Sequence, residues 1–122
     1  MDLNLYYYKA IITDVYDGDT ITAEIDLGCG IWLRGEKLRL YGINAPEMRG
    51  QEKPQGIVTR DWLRKEVWKT SPTGHVIIET KKDKTGKYGR LLAIVYIPIA
   101  PDAWLNANQE MVRLGLAEAK EY

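Results

Sequence analysis

The chain has no phenylalanine, one cysteine and one histidine in 122 residues, and its formal charges cancel. Each scarcity removes a class of protein. A lone cysteine, Cys29, rules out an internal disulfide, so packing must hold the domain together. Cys29 lies between two glycines, which marks a turn or strand end, and it is given no catalytic role. One Cys and one His (His75) cannot supply the usual four ligands of a zinc site. Lys+Arg and Asp+Glu both total 17, so the chain lacks the positive excess with which a passive nucleic-acid coat displaces counterions. That balance still permits a local basic rim around an acidic metal site. No apolar run approaches the roughly 20 residues of a membrane-spanning helix, so no membrane partner is expected. Met1-Asp2-Leu3-Asn4-Leu5 has neither the basic start nor the apolar stretch of a secretory signal. A cytoplasmic location is therefore expected, with a secreted form that has lost its leader as the alternative.

What is present suffices for one core. Hydrophobic residues make up 45% and charged residues 28%, ordinary for a soluble chain, and the length fits a single domain over residues 1–122. A monomer is expected.

The first half reads as strands. Tyr6 to Val15 is rich in aromatic and β-branched residues, Asp17-Gly18 gives a turn, and Thr20 to Ile25 alternates like a half-buried strand. Gly28 to Gly30 and Arg34-Gly35-Glu36 mark breaks. Lys37 to Tyr41 alternates again, with Leu38 and Leu40 on one face. Asn44-Ala45-Pro46-Glu47 ends that strand. Pro54 opens a helix running to Lys69, where Val58, Trp62, Leu63 and Val67 fall near helical spacing, and Ser71 to Gly74 closes it. Val76-Ile77-Ile78 starts a fourth strand. A Lys-rich loop leads to a fifth, Leu91 to Ile97, stopped by Pro98 and Pro101. A second helix begins near Asn106 or Asn108 and ends at Gly115. Three strands, helix, two strands, helix is a mainly β pattern with helices (α+β). It is the order of a five-stranded OB-fold barrel, with one helix between strands three and four and another near the C-terminus.

Three polar segments have no obvious folding purpose. Asp17-Gly18-Asp19-Thr20 is a turn, but a turn does not need the second carboxylate. Two aspartates this close repel unless a cation lies near, and carboxylate oxygens are hard ligands for Ca²⁺ or Mg²⁺. Arg39 to Glu47 sets a guanidinium, an amide oxygen and a carboxylate at one strand end. Those are the parts phosphoryl transfer needs: a cation for phosphate oxygens, a metal ligand, and a group acting on water. Lys87-Tyr88-Gly89-Arg90 lies in a loop that also bears Lys81, Lys82 and Lys84. Such loops are commonly just solvated. The functional reading makes Arg90 a second, bidentate phosphate clamp.

These three segments, followed by Val112-Arg113-Leu114-Gly115-Leu116-Ala117, resemble the staphylococcal nuclease (thermonuclease) family in order and approximate spacing over about Ala10 to Ala117. The resemblance implies a Ca²⁺-dependent OB-fold nuclease that hydrolyses DNA and RNA and leaves 3′-phosphate ends. It implies that Asp19 is a direct Ca²⁺ ligand and Asp17 an outer-shell carboxylate. Asn44 falls where the family usually has a second aspartate ligand, and Ala45 where a backbone carbonyl ligates. Arg39 and Arg90 are similar to the paired arginines on the scissile phosphate, Glu47 to the carboxylate that orients or deprotonates water. Lys87 and Tyr88 are similar to residues on a terminal phosphate. Asn44 in place of an aspartate implies weaker Ca²⁺ affinity or a shifted preference that admits Mg²⁺ or Mn²⁺. Gly86 stands where the family often has Asp, with Asp83 as a candidate substitute, and the base-flanking tyrosines have no clean match near Tyr122.

Two rival readings stand beside the enzyme. One is a non-catalytic OB-fold module for nucleic acid or protein, although such modules lose the carboxylates and arginines together, and Asp19, Arg39, Glu47 and Arg90 are all here. The other is an interaction protein using Trp32, Trp62, Trp68 and Trp104, residues that more often serve a core lacking Phe.

Overall fold

Alternation in the first forty residues becomes three consecutive antiparallel strands, β1 (Tyr7–Asp17), β2 (Thr20–Gly28) and β3 (Ile31–Leu40). The computed structural model describes residues 6–70, 72–81 and 91–120. In β1 the buried residues are Ala10, Ile12 and Val15; a register shift between Ile12 and Asp14 lets Val15, rather than Asp14, face inward. Ile21, Ala23 and Ile25 of β2 and Leu38 and Leu40 of β3 line the same interior.

The turn from β2 to β3 is a two-residue loop, Cys29-Gly30, with φ of 56° and 75°. Positive φ at both central residues matches the right-handed twist of a hairpin. Arg34-Gly35-Glu36 is no break. Gly35, at φ 66°, bends β3 in place while the β2 register shifts between Ala23 and Ile25, so one strand continues.

A short β4 (Ile43–Asn44) and one 3₁₀ turn (Gly50–Glu52) lead into α1 (Lys53–Thr70). The inward stripe of α1 is Gly56, Thr59, Leu63 and Val67; Val58, expected with the apolar set, is instead 53% exposed. Strand β5 (His75–Lys81) pairs antiparallel with β1, and β6 (Leu91–Ala100) pairs with β5. The segment 82–90 lies outside the described residues. The start of β6 also pairs in parallel with the end of β3, Leu38 with Leu91 through Leu40 with Ala93. That pairing closes a five-stranded barrel in the order β1-β2-β3-β6-β5, which is the OB-fold arrangement.

Two features lie beyond the expected pattern. Strand β6 runs through Pro98 to Ala100 and folds back on β7 (Ala103–Asn106), so Pro98 does not stop it. Pro98 lies past the last β5–β6 pair, Ile77 with Tyr96, and is paired with Trp104 of β7 near the strand's end, where a missing N–H is tolerated. After α2 (Ala107–Arg113), β8 (Glu118–Ala119) pairs with β4 and returns the chain to the mouth of the barrel. Asn106 caps α2, its side chain accepting from Gln109 N at 3.0 Å. Gly115, at φ 74°, ends it: the Leu116 N–H reaches Met111 O at 2.8 Å and the Gly115 N–H reaches Val112 O at 3.1 Å.

The interior is aliphatic, from Val15, Ile21 and Leu40 to Leu63, Ile78 and Ile97. Trp62 and Trp68 pack against it, Trp32 lies under Arg34 at 5.0 Å, and Trp104 is 49% exposed on β7. No helix among the described residues is long and apolar enough to cross a membrane.

Candidate active site

Barrel closure brings the β1–β2 turn, the end of β3, the segment after β4 and the end of α2 to one mouth. There they enclose a cleft of about 770 Å³ lined by Asp17, Asp19, Thr20, Arg39, Asn44, Ala45 and Glu47, with residues 115–118 opposite. The first two polar segments and the Gly115-Leu116-Ala117 stretch therefore share one surface. Arg90, Lys87 and Tyr88 lie outside the described residues.

The Asp17-Gly18-Asp19 turn is shaped by proximity. Gly18 has no positive φ, but a Cβ there would stand 2.4 Å from Thr59 Cγ2 and 2.8 Å from Ala45 Cβ. The turn is thus pressed between α1 and the strand-end loop, and only glycine fits. Asp17 Oδ1 accepts the Asp19 N–H at 3.0 Å, and Asp19 Oδ2 accepts the Ala45 N–H at 2.9 Å. Thr20 Oγ1 donates to Asp19 Oδ1 at 3.3 Å.

Arg39 joins the two segments. Its Nη1 meets Asp19 Oδ2 at 2.5 Å and its Nη2 meets Asn44 Oδ1 at 2.7 Å, with longer contacts of 3.4 Å to the Asp19 and Ile43 carbonyl oxygens. The fork is largely enclosed, so its charge acts through little intervening water. Burial opposes the Asp19 charge, but the bond with Asp17, the Ala45 amide and Arg39 outweigh it and hold the carboxyl below the ordinary range. Asp17 moves the other way. Burial, then its bond to Asp19 and the charge there, push it up to about 6.

This donor set suits a hard cation in its chemistry. It offers the Asp19 carboxylate, the Asn44 amide oxygen and the Ala45 carbonyl, with Asp17 behind, all oxygen. The set is lean in acids: no three His, Cys, Asp or Glu gather as a metal-binding group among the described residues.

Glu47 stands on the cleft rim, its side chain 59% exposed and paired with Arg49 Nε at 3.0 Å. Its own N–H donates to Glu52 Oε2 at 3.2 Å. Sequence reasoning missed Glu52, Arg49, Tyr16 and Glu118, which also line the cleft. Nothing in their local pattern distinguishes them from surface charge. Gly56 was visible as a glycine inside a helical stretch, a recognised sign of close approach.

Residues 37–122, more than two thirds of the chain, match the family model described as staphylococcal nuclease homologue. An uncharacterised protein of Methanocaldococcus jannaschii is 25% identical over 136 aligned residues, which cover 96% of this chain. The chain spans 61% of that relative's length.

Proposed function

The chain belongs to the staphylococcal nuclease homologues, and from that premise we propose that it is a Ca²⁺-dependent nuclease cleaving DNA or RNA to leave 3′-phosphate ends. Its membership supports a nuclease-like, nucleic-acid-related role in general. One observation carries the finer reading: Asp19, Arg39, Asn44 and Glu47 line a single cleft at the barrel mouth.

In this reading Asp19, Asn44 and the Ala45 carbonyl hold the divalent ion, with Asp17 in the outer shell. When bound, the ion supplies positive charge against the phosphate oxygens. Arg39 yields Asn44 Oδ1 to the ion and turns Nη2, with the fork's two 3.4 Å contacts, over to phosphate oxygens, while the bond from Nη1 to Asp19 Oδ2 still aims the fork. Glu47 orients a water and takes its proton as the new P–O bond forms. The P–O5′ bond breaks, and the departing 5′ oxygen takes a proton from solvent water, while Glu47 returns its own proton to solvent. Arg90 is the proposed second clamp, and Lys87 with Tyr88 hold a terminal phosphate.

Incubation with a labelled single-stranded oligonucleotide in Ca²⁺, Mg²⁺, Mn²⁺ or chelator tests this. The expected result is Ca²⁺-supported cleavage, abolished by chelator, with 3′-phosphate products. Tight binding without cleavage in every metal would instead support the non-catalytic OB-fold module.

A further inference from the structure

Glycine is a poor helix residue, and Gly56 sits inside the 18-residue α1 without a positive φ to require it. Its reason is contact. A Cβ on residue 56 would stand 2.4 Å from the Glu47 carbonyl oxygen, 2.9 Å from its carbon and 3.1 Å from Met48 Sδ. The Glu47 peptide therefore lies directly on the helix backbone. Its other end is fastened too, because the Glu47 N–H donates to Glu52 Oε2 at 3.2 Å, just before α1 begins. Both peptide groups of one residue are referenced to the start of a single helix.

The same helix also locates the acidic turn. Thr59 packs against Gly18, and its Oγ1 donates to Leu116 O at 2.7 Å on the opposite wall of the cleft. One turn further, Arg64 grips Val15 O with Nη2 at 2.8 Å and Nε at 3.2 Å, two residues before Asp17. Gly56, Thr59 and Arg64 follow one another along α1 at spacings of three to five residues. Glu47, the aspartate turn and the C-terminal wall are thus indexed to the same rigid rod.

We propose that α1 is the jig of the site, with Gly56 and Glu52 as positioning residues that set where the Glu47 carboxylate stands relative to the Asp17–Asp19 turn. This rests on the role given to Glu47 above. Neither residue touches the reacting atoms. A loop carrying a general base gains its precision from such backbone seating, and small misplacements cost rate more than binding.

The full chain with Gly56→Ala, Glu52→Ala and Glu52→Gln tests this by steady-state cleavage of a fluorophore–quencher single-stranded oligonucleotide in Ca²⁺. Gly56→Ala should lower kcat about tenfold or more while KM stays within about twofold. Its thermal midpoint should fall by a few degrees, because relieving a 2.4 Å approach to the Glu47 backbone costs more than the helix propensity of alanine returns, and kcat is therefore read well below that midpoint. Glu52→Ala should lose rate likewise, and Glu52→Gln should recover most of it, because an amide oxygen accepts the same N–H. In a Glu47→Gln background, Gly56→Ala should cost nothing further. Amide hydrogen exchange supplies a readout that needs no turnover: the Glu47 N–H should be protected in the unmodified protein and in Glu52→Gln, and about tenfold less so in Glu52→Ala. A Gly56→Ala protein with unchanged kcat, a loss confined to KM or to the midpoint, or an unprotected Glu47 amide in the unmodified protein would each overturn the jig. If the unmodified protein cleaves nothing, the nuclease reading fails, while the exchange measurement still decides the seating.

Discussion

Asn108 and Asp19 are both nearly withdrawn from solvent, at 3% and 8% exposure, but their surroundings treat them differently. Asn108 lies where β3 and β6 meet to close the barrel. Its oxygen accepts the Val95 N–H at 3.1 Å, and its amide donates to Tyr41 O at 2.8 Å and Ala93 O at 3.0 Å. It is neutral, and both its ends are used. Asp19 is charged, leans on one guanidinium, and faces a second carboxylate whose proton is held up to about pH 6. A buried polar group kept for folding is satisfied within the chain. Asp19 is met within the chain too, by Arg39, the Ala45 N–H and Thr20 Oγ1; the strained member of the cleft is its neighbour Asp17, pushed up to about 6 first by burial and then by Asp19.

If that contrast is right, mutations in the two regions should separate rate from stability. The largest effect falls on the cleft: Glu47→Gln should lower kcat on the order of a thousandfold, about 4 kcal/mol of barrier, with almost no change in urea midpoint, because its side chain is exposed. A comparable loss of stability in that variant would break the division. Next comes the seam. Asn108→Ala strands the buried Val95 N–H and takes the amide donor from the Tyr41 and Ala93 carbonyl oxygens, the second of which keeps the Tyr41 N–H at 2.8 Å, so it should cost about 2–4 kcal/mol of unfolding free energy by urea titration. The fraction that remains folded should turn over normally. Third, Ca²⁺ at a hundredfold excess over its dissociation constant should stabilise the protein by about 2.7 kcal/mol. Asp19→Asn should remove that gain, as read from thermal midpoints with and without the ion.

The division also explains what could be read from residue order. Barrel strands announce themselves through alternation, so Leu38 and Leu40 could be placed on one inward face, and the order of elements led to the OB-fold. The candidate site was readable where chemistry needs a residue type, as at Asp19, Arg39 and Glu47. What escaped depends on distant contacts. Gly35 bends a strand instead of ending one because β2 takes up the shift. Pro98 continues a strand because the β5–β6 pairing ends at Tyr96 while β7 takes up the other edge, with Trp104 opposite Pro98. Val58 yields the inner face of α1 to Gly56 and Thr59, since the cleft loops, rather than more core, press on the first turns of that helix. Nor does any local pattern show that Arg39 is held by the very oxygens assigned to the metal.

The smallest predicted effect tests the contrast within one helix. Asn106 and Asn108 are two residues apart, identical in chemistry, and both bind backbone. Asn106 makes one capping bond at a partly exposed helix start, where water can replace the lost partner. Asn106→Ala should therefore cost about 1 kcal/mol, and Asn106→Asp little or nothing, since a carboxylate also accepts from N–H groups at a helix N-terminus. The same Asp change at position 108 brings a buried charge toward the Tyr41 and Ala93 carbonyl oxygens in place of the amide N–H that both accept from now. It should be the most damaging of the asparagine substitutions. Urea titration of the four variants gives the ranking directly. Equal costs for the two Asp variants would mean that the seam is wetter than its exposure indicates, and that buried satisfaction is not what separates it from the cleft.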